Sequence, residues 1–471
     1  MVSTLREAEL TDVPASITAL DQREIQSLAV QHFEELTRLV PNLNWSGEGS
    51  RARYFQLRGI GELEQYEGAP NPSVGFIIDD IDFSGIGSAA TLFDTERVEV
   101  LRGPQGTRFG ANALAGLVYM RTAEPTSEFS TLVEGTAGDD DTRALGGSLG
   151  GPLVGDSLAY RVSVQKYESD GFRDNKFLNS DNTYKRDELT SRVKLRWQPT
   201  DDWRADLTGV YLDIDNGYDA FAVDNDYDTF SDKPGQDAQK TSAASLRVTG
   251  DLSPALTLTS ITSVSQSDIS FSFDADWGND DFWAQDRFGN SVYDYFSRTD
   301  RDRDNYTQEL RLGSGPDGRL FGGRADWLVG GYWQRLEEDN DIENFGRDDF
   351  TPPCFPPYDT LLPGPPARCR QDFASDYEAD SYAVFSQLDF ALDARTTLGV
   401  GLRWERRETD YSDSNAADFD PDDNLWGGEL TLRRELTDVF SAYGRVARGY
   451  RGGGFNINPA VPPSEQRFDK E

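Results

Sequence analysis

One histidine, His32, and two cysteines, Cys354 and Cys369, are all that 471 residues offer to chemistry run on imidazole or thiol. That one imidazole lies in a predicted helical stretch of the N-terminal part, which leaves zinc-hydrolase and Ser-His-Asp arrangements no member to build from, so both reaction classes are excluded. Carboxylates abound, 83 against 46 lysines and arginines, and a pair of them could cleave a glycosidic bond. Acidic loops more often owe their charge to solubility or to bound cations. DNDYDTFSD, Asp224 to Asp232, opens like a calcium loop but lacks the glycine at its sixth position and the glutamate at its twelfth, so it reads as a solvated loop. RGGGF, Arg451 to Phe455, and GPQGT, Gly103 to Thr107, lack the Lys-Ser/Thr ending of a phosphate loop and read as turns. No catalytic residue, metal centre or cofactor is expected.

Both cysteines lie within TPPCFPPYDTLLPGPPARCR. Their spacing suits a disulfide closing one loop better than a metal site, which would want more ligands, and this favours an oxidising compartment; two free thiols in a loop is the alternative. A formal net charge of −37 repels phosphate over most of the surface, so nucleic acid is not an expected partner.

The elements that would carry these residues change character near residue 125. Before it, Asp21 and Glu24 have capping-box spacing, and Ile25, Leu28, Phe33, Leu36 and Leu39 keep a near-helical period up to Pro41, which predicts one helix or two short ones. RYFQLRGIG and SVGFIIDDIDF are short strand-like runs, followed by the stretch DTERVEVLRGPQGTRFGANALAGLVYMRT, Asp94 to Thr122. There Val98, Val100 and Leu101 suit a strand, Gly103-Pro104 a turn, and Leu117 to Met120 a second buried strand.

After residue 126 the pattern is strand upon strand. Leu158, Tyr160, Val162 and Val164 face one way and Arg161, Ser163 and Gln165 the other; Val193, Leu195 and Trp197 separate likewise from Arg192, Lys194 and Arg196, and Leu398, Val400, Leu402 and Trp404 from Gly399, Gly401, Arg403 and Glu405. About thirteen such strands are joined alternately by tight turns (QPTDDW, DLSPAL, RELTDVF) and by long polar loops near 215–239, 271–304, 338–376 and 409–423, as in outer-membrane barrels. Trp197, Trp203, Trp333, Trp404 and Trp426 lie where an aromatic girdle would meet lipid headgroups. No apolar run reaches the length of a spanning helix, and MVSTLREAELTDVPAS lacks the apolar core of a secretory signal.

With these residues in view, the chain resembles the TonB-dependent outer-membrane receptors. VPASITALDQREI, LTRLVPNLN, FQLRGIG, PSVGFIIDDIDF and ERVEVLRGPQGTRFGANALAGLVYMRTAEP are similar, in order, to blocks of that family's plug domain, and YTQELRLGS and VFSAYGRVARGYRGGGFN to its barrel segments. The resemblance implies a small α+β plug domain, residues 1–125, carrying a remnant of an N-terminal coupling segment. An all-β transmembrane antiparallel β-barrel, residues 126–471, follows it, in a family whose barrels have about 22 strands. It implies a monomer in the outer membrane of a Gram-negative bacterium, surrounded by lipid. There TonB and its inner-membrane energy complex would drive uptake of a scarce ligand, most often a ferric siderophore; a passive porin or surface adhesin is the alternative.

The resemblance also implies site residues. Arg97, Gly103, Pro104, Gln105, Gly106, Gly110, Asn112 and Gly116 belong to the plug motif. Arg58 and Arg102 are candidate plug arginines held by barrel carboxylates, with Glu309 a possible partner, while Glu96, Arg97, Glu99 and Arg102 would face the wall or pair internally. Ligand contacts are expected from Arg51, Tyr54, Tyr66, Trp277 and Trp283. About thirteen strands cannot close with an even number and no free edge. The expectation is therefore a fragment, lacking roughly nine strands and a terminal aromatic after PPSEQRFDKE, and an export signal and full coupling box before Val2-Ser3-Thr4.

Overall fold

The computed structural model describes residues 12–47, 49–63, 70–284, 293–348, 360–362, 367–456 and 465–471. Asp21 starts the first helix as its spacing predicts: its carboxylate accepts the Glu24 N–H at 2.9 Å and the Glu24 carboxylate accepts the Asp21 N–H at 2.9 Å. The helix, Gln22–Ser27, is brief, and a 3-10 turn, Phe33–Leu39, follows, so the helical stretch is two short pieces. Ala29, at φ 54°, breaks the path between them.

Around these pieces lie β1 (Ser16–Asp21), β2 (Leu43–Ser46), β3 (Tyr54–Leu57), β4 (Val74–Ile78), β5 (Ile81–Asp82), β6 (Thr95–Arg102) and β7 (Gly116–Thr122). Five of them form one sheet in the order β1-β6-β7-β4-β5, with β4 and β7 parallel. Phe33, Leu36, Leu57, Phe76, Val98, Val100, Val118 and Met120 close an apolar core beneath it. Within that core the Phe55 ring stacks on Phe76 at 5.0 Å, and Phe33 meets both edge-on.

The chain then runs through β8 (Ser130–Ala137), β9 (Arg143–Val154), β10 (Leu158–Ser169), β11 (Asp174–Asn175), β12 (Arg186–Thr200), β13 (Trp203–Tyr218), β14 (Asp228–Thr229), β15 (Gly235–Ser253) and β16 (Leu256–Asp274). It continues with β17 (Tyr293–Ser314), β18 (Ala325–Asp348), β19 (Thr360–Leu362), β20 (Ala367–Asp393), β21 (Thr396–Asp413), β22 (Asp418–Phe419), β23 (Asp422–Glu435) and β24 (Ser441–Arg448). The main path of the second sheet is an antiparallel meander of thirteen strands from β8 to β24, with β19 and β22 as short additions, while β11 and β14 form a separate parallel pair. Among the described residues β8 pairs only with β9 and β24 only with β23. After β24 the chain turns inward, and β25 (Gly454–Phe455) pairs with β26 (Arg467–Phe468).

Inward residues of this wall are the polar half of the alternation: Arg161, Ser163, Gln165, Arg192, Lys194, Arg403 and Glu405 are all buried. Outward stand Val162, Val164, Val193, Val329, Val384, Leu402, Leu430 and Leu432, exposed as a lipid-facing band would be. Trp197 and Trp203 flank the turn at Thr200, whereas Trp333, Trp404 and Trp426 sit within their strands, Trp404 directly opposite Trp426. The girdle at the strand ends is thus corrected on one side. About ten residues at about 3.3 Å each, tilted about 40°, already span the roughly 25 Å apolar band, and the strands continue past it.

The long loops are likewise shorter than their composition implies, because β16, β17, β18 and β20 run far into the acidic segments. Beyond the bilayer both faces of a strand are wet, so pairing persists where hydrophobic alternation stops. There Asp268, Asp302, Asp339 and Asp376 stand directly opposite one another across four strands. Asp304, Glu337, Glu378 and Asp410 form a second such row.

Candidate functional site: the plug against the barrel wall

Where the first sheet and its loops meet the wall, charges of one sign on one side find the opposite sign on the other. Plug Arg51, fully buried, donates from Nη1 to barrel Glu188 at 2.6 Å and from Nε to plug Glu34 at 2.6 Å. Glu188 also meets His32 Nε2 at 2.9 Å and accepts from Asn216 at 3.0 Å. Barrel Asp237 accepts from the Ser50 N–H at 2.6 Å, the Arg51 N–H at 3.2 Å and the Arg53 guanidinium. In the reverse sense, plug Asp94 accepts from Arg161 Nε at 2.7 Å, Asp79 from Lys194 at 3.0 Å and Asp80 from Arg247 Nε at 2.9 Å. Arg192 reaches the Phe93 carbonyl at 2.8 Å, and Arg303 the Ser84 carbonyl at 3.0 Å.

On the far side, Arg108 of the plug pairs with Glu429 at 3.4 Å, and Arg445 holds both Glu429 and the Pro104 carbonyl, the latter at 2.7 Å. Tyr450, fully buried, donates to Glu405 at 3.0 Å. The RGGGF segment continues this contact, with Arg451 beside Glu62 and the Asn71 carbonyl. Apolar contact joins in along one arc, where inward Val210, Leu212, Ala243 and Ile269 extend the plug core, and in a smaller patch where plug Ala111 meets Leu425 and Tyr450.

The plug groups titrate accordingly. Burial pushes the Asp80 carboxyl up, but Arg247 outweighs it and holds the group below the usual carboxylate range. Burial acts the same way on Glu124, and Lys194, Arg121 and Arg196 together bring it down to about 2. For His32, burial and Arg51 oppose the charged form, while Glu188 and Glu35 outweigh them and raise it above its ordinary value.

A folded body seated against the polar face of a large antiparallel sheet through ion pairs is the arrangement of a plugged receptor, and comparison with known proteins decides the family. The TonB-dependent Receptor Plug Domain matches residues 9–117, and the TonB dependent receptor-like β-barrel matches residues 206–466. The chain belongs to the TonB-dependent receptors. Members of that family are receptors and transporters of the Gram-negative outer membrane rather than enzymes.

Among relatives of this TonB-dependent receptor, the pesticin receptor of Yersinia pestis is 24% identical over 469 residues, covering 97% of this chain and 63% of its own length. The vitamin B12 transporter BtuB of Photobacterium profundum is 27% identical over 217 residues, 45% of this chain and 35% of its own. In fold, the chain matches the ferric yersiniabactin uptake receptor FyuA from Yersinia pestis with a TM-score of 0.76 at 23% identity, covering 97% of this chain and 67% of that one. The chain thus spans just under two thirds of the length of the pesticin receptor that it matches.

Several residues expected at the wall of this TonB-dependent receptor lie elsewhere. Glu309 pairs with Arg311 two residues along its own strand, not with Arg58 or Arg102. Arg102 donates to Ser16 Oγ at 3.2 Å and the Pro41 carbonyl at 3.3 Å, near enough to Arg58 and to Tyr443 of β24 to feel both. Arg58, at φ 55°, makes no ion pair among the described residues. Glu99 is buried and pairs with Arg97 within β6, and Glu96 lies by Arg121, so these charges brace the plug sheet.

The plug-motif loop does touch the barrel. Gly110 has φ 76°, and a Cβ there would lie 2.7 Å from Glu405 and 2.9 Å from Arg403, so only glycine allows that approach. A Cβ on Gly106 would meet the Tyr450 ring at 3.3 Å. Gly103, at φ 91°, and Gln105, whose amide caps the Gly103 carbonyl at 3.1 Å, shape the turn around Pro104. Asn112 lies in the 3-10 turn before Gly116, which opens β7.

Of the expected ligand contacts, Arg51 and Tyr54 are buried: Glu34 and Glu188 neutralise the first, and every residue of β3 is buried. Trp277 and Trp283 do share the outer loop after β16. Trp277 is exposed and stacks on Phe221 at 5.2 Å, and the Trp283 indole donates to Asp276 at 3.1 Å. Tyr66, Cys354 and the Cys369 side chain lie outside the described residues.

Sequence reasoning missed Glu34, Asp79, Asp80, Asp94 and Arg108 on the plug, and Glu188, Asp237, Arg247 and Glu429 on the wall. The available signal was parity: a charge at an inward position of a barrel strand must meet either lumen water or the plug.

Proposed function

We propose that this chain is the plug and adjoining wall of an energised outer-membrane uptake receptor. Residues up to about 125 act as the plug and the rest as wall, within a monomeric barrel of about 22 strands set in lipid. The unpaired outer edges of β8 and β24 among the described residues support further strands beyond these thirteen. A ligand of the ferric-siderophore class is captured at the outer loops around Trp277 and Trp283, and TonB, drawing on its inner-membrane complex, moves the plug so that the ligand passes. The observation that carries this reading is the ring of buried ion pairs between plug and wall. Charged partners regain water on separation, so such a boundary can open without exposing a large apolar surface.

The ligand class is taken from the ferric yersiniabactin uptake receptor FyuA from Yersinia pestis, whose fold this chain shares. The test is growth of the source bacterium under iron limitation, with the complete gene intact, deleted, or lacking the codons for residues 1–125. Deletion should abolish use of at least one ferric siderophore, and removal of the plug should leave a leaky channel. Unchanged use of every siderophore tested would reject the iron reading, and unchanged passive flux without the plug would identify a porin.

A further inference from the structure

His32 is the only imidazole in the chain and lies almost wholly buried where plug meets wall. Its Nε2 is 2.9 Å from barrel Glu188 and its Nδ1 is 3.3 Å from plug Glu35. A neutral imidazole carries one N–H and can serve one of these carboxylates, whereas the imidazolium serves both. The other charged groups around it are Glu34 and Arg51 on the plug and Arg186 on β12, whose Nη1, 3.4 Å from His32 Nδ1, can donate to that nitrogen only in the neutral imidazole, so protonation exchanges this contact for the one to Glu35. The Tyr167 ring of β10 packs edge-on at 4.8 Å, and Thr91 bridges the His32 backbone.

These groups balance only with His32 charged: His32, Arg51 and Arg186 then face Glu34, Glu35 and Glu188, three cations against three carboxylates. Loss of the imidazolium proton leaves one excess negative charge at a contact where Glu34 and Glu188 are buried and Glu35 is partly exposed.

We propose that His32 is a proton-operated latch that fastens this part of the plug to Glu188 when protonated and loosens it when neutral. The proposal rests on the reading that the plug leaves the wall. The imidazolium is favoured in the attached state, so the contribution is complete below the ordinary histidine pKa of about 6.5 and is lost as pH rises through the higher value of the attached state. The acidic side of neutrality holds the plug and the alkaline side eases it.

The test uses the full chain in detergent micelles. The imidazole is followed by NMR, where a single histidine needs no assignment, and the opening of the Ser50 amide, held by barrel Asp237, is followed by hydrogen exchange corrected for its intrinsic pH dependence. The wild-type imidazole should titrate above 6.5, and the Ser50 opening constant should rise across that titration by about tenfold per unit of elevation. In His32→Gln the constant should stay level over the same range; Glu35→Gln, which leaves the Arg51–Glu188 pair intact, should lower the imidazole pKa.

A Ser50 opening constant independent of pH in the wild type, or one rising equally in His32→Gln, overturns the latch. Should Ser50 open only when the whole chain unfolds, the separable plug fails as a reading. A pH step in that unfolding, present in the wild type and absent in His32→Gln, would still establish the proton coupling.

Discussion

The interior of the plug and its boundary with the wall bury side chains equally well and for opposite ends. Inside, Phe33, Phe55, Phe76, Val100 and Val118 exclude water and leave no polar group to satisfy. At the boundary, Arg51, Arg53, Asp79 and Asp94 are buried only because Glu188, Asp237, Lys194 and Arg161 wait opposite. Apolar burial is lost in full when surfaces part, whereas a separated ion pair recovers hydration that offsets much of the lost attraction. The plug is therefore built to hold together more firmly than it is held in place.

The sharpest way to break that contrast is to damage each region in turn. Phe76→Ala opens a cavity beside Phe33 and Phe55 and should cost the plug about 3–5 kcal/mol, seen as loss of amide protection throughout β4, β6 and β7 while the barrel strands keep theirs. Asp237→Ala strands buried Arg53 and two plug amides, and should weaken attachment by about 3 kcal/mol. Its readout is faster exchange at Ser50 and Arg51 with unchanged protection in β6; equal loss in both places would merge the two regions into one.

A smaller effect separates the inner face of the wall from its outer face. Asp339 stands between Asp302 and Asp376 with no base opposite, so Asp339→Asn should stabilise the barrel by about 0.2–1 kcal/mol at low salt and by less at high salt. Thermal unfolding at two ionic strengths measures it.

How much of this was legible in the sequence follows the same division. Val162 against Arg161 and Val193 against Lys194 declared the barrel, because a strand with lipid on one side and a polar lumen on the other must alternate. The signal ended at Asp268 and Asp302, since both faces there meet water and periodicity no longer reports pairing. The plug motif showed where glycines were needed, as at Gly110, but not what lay against it: the partner of Asp94 is Arg161, 67 residues away, and no local pattern fixes how a plug is rotated within its barrel. Arg51 read as an open ligand contact because it sits in a polar loop. Two carboxylates, one of them 137 residues distant, make it a buried residue instead.

The central claim, that the boundary opens before the plug unfolds, is tested most directly by site-resolved hydrogen exchange of the whole chain across a urea series at constant pH. Ser50 and Arg51, whose amides are held by barrel Asp237, report the boundary; Val100 and Val118, facing each other across β6 and β7, report the interior. The account predicts that the first pair loses protection at clearly lower urea than the second. Loss of protection by all four at the same urea concentration would contradict it, and would make plug and wall a single cooperative unit.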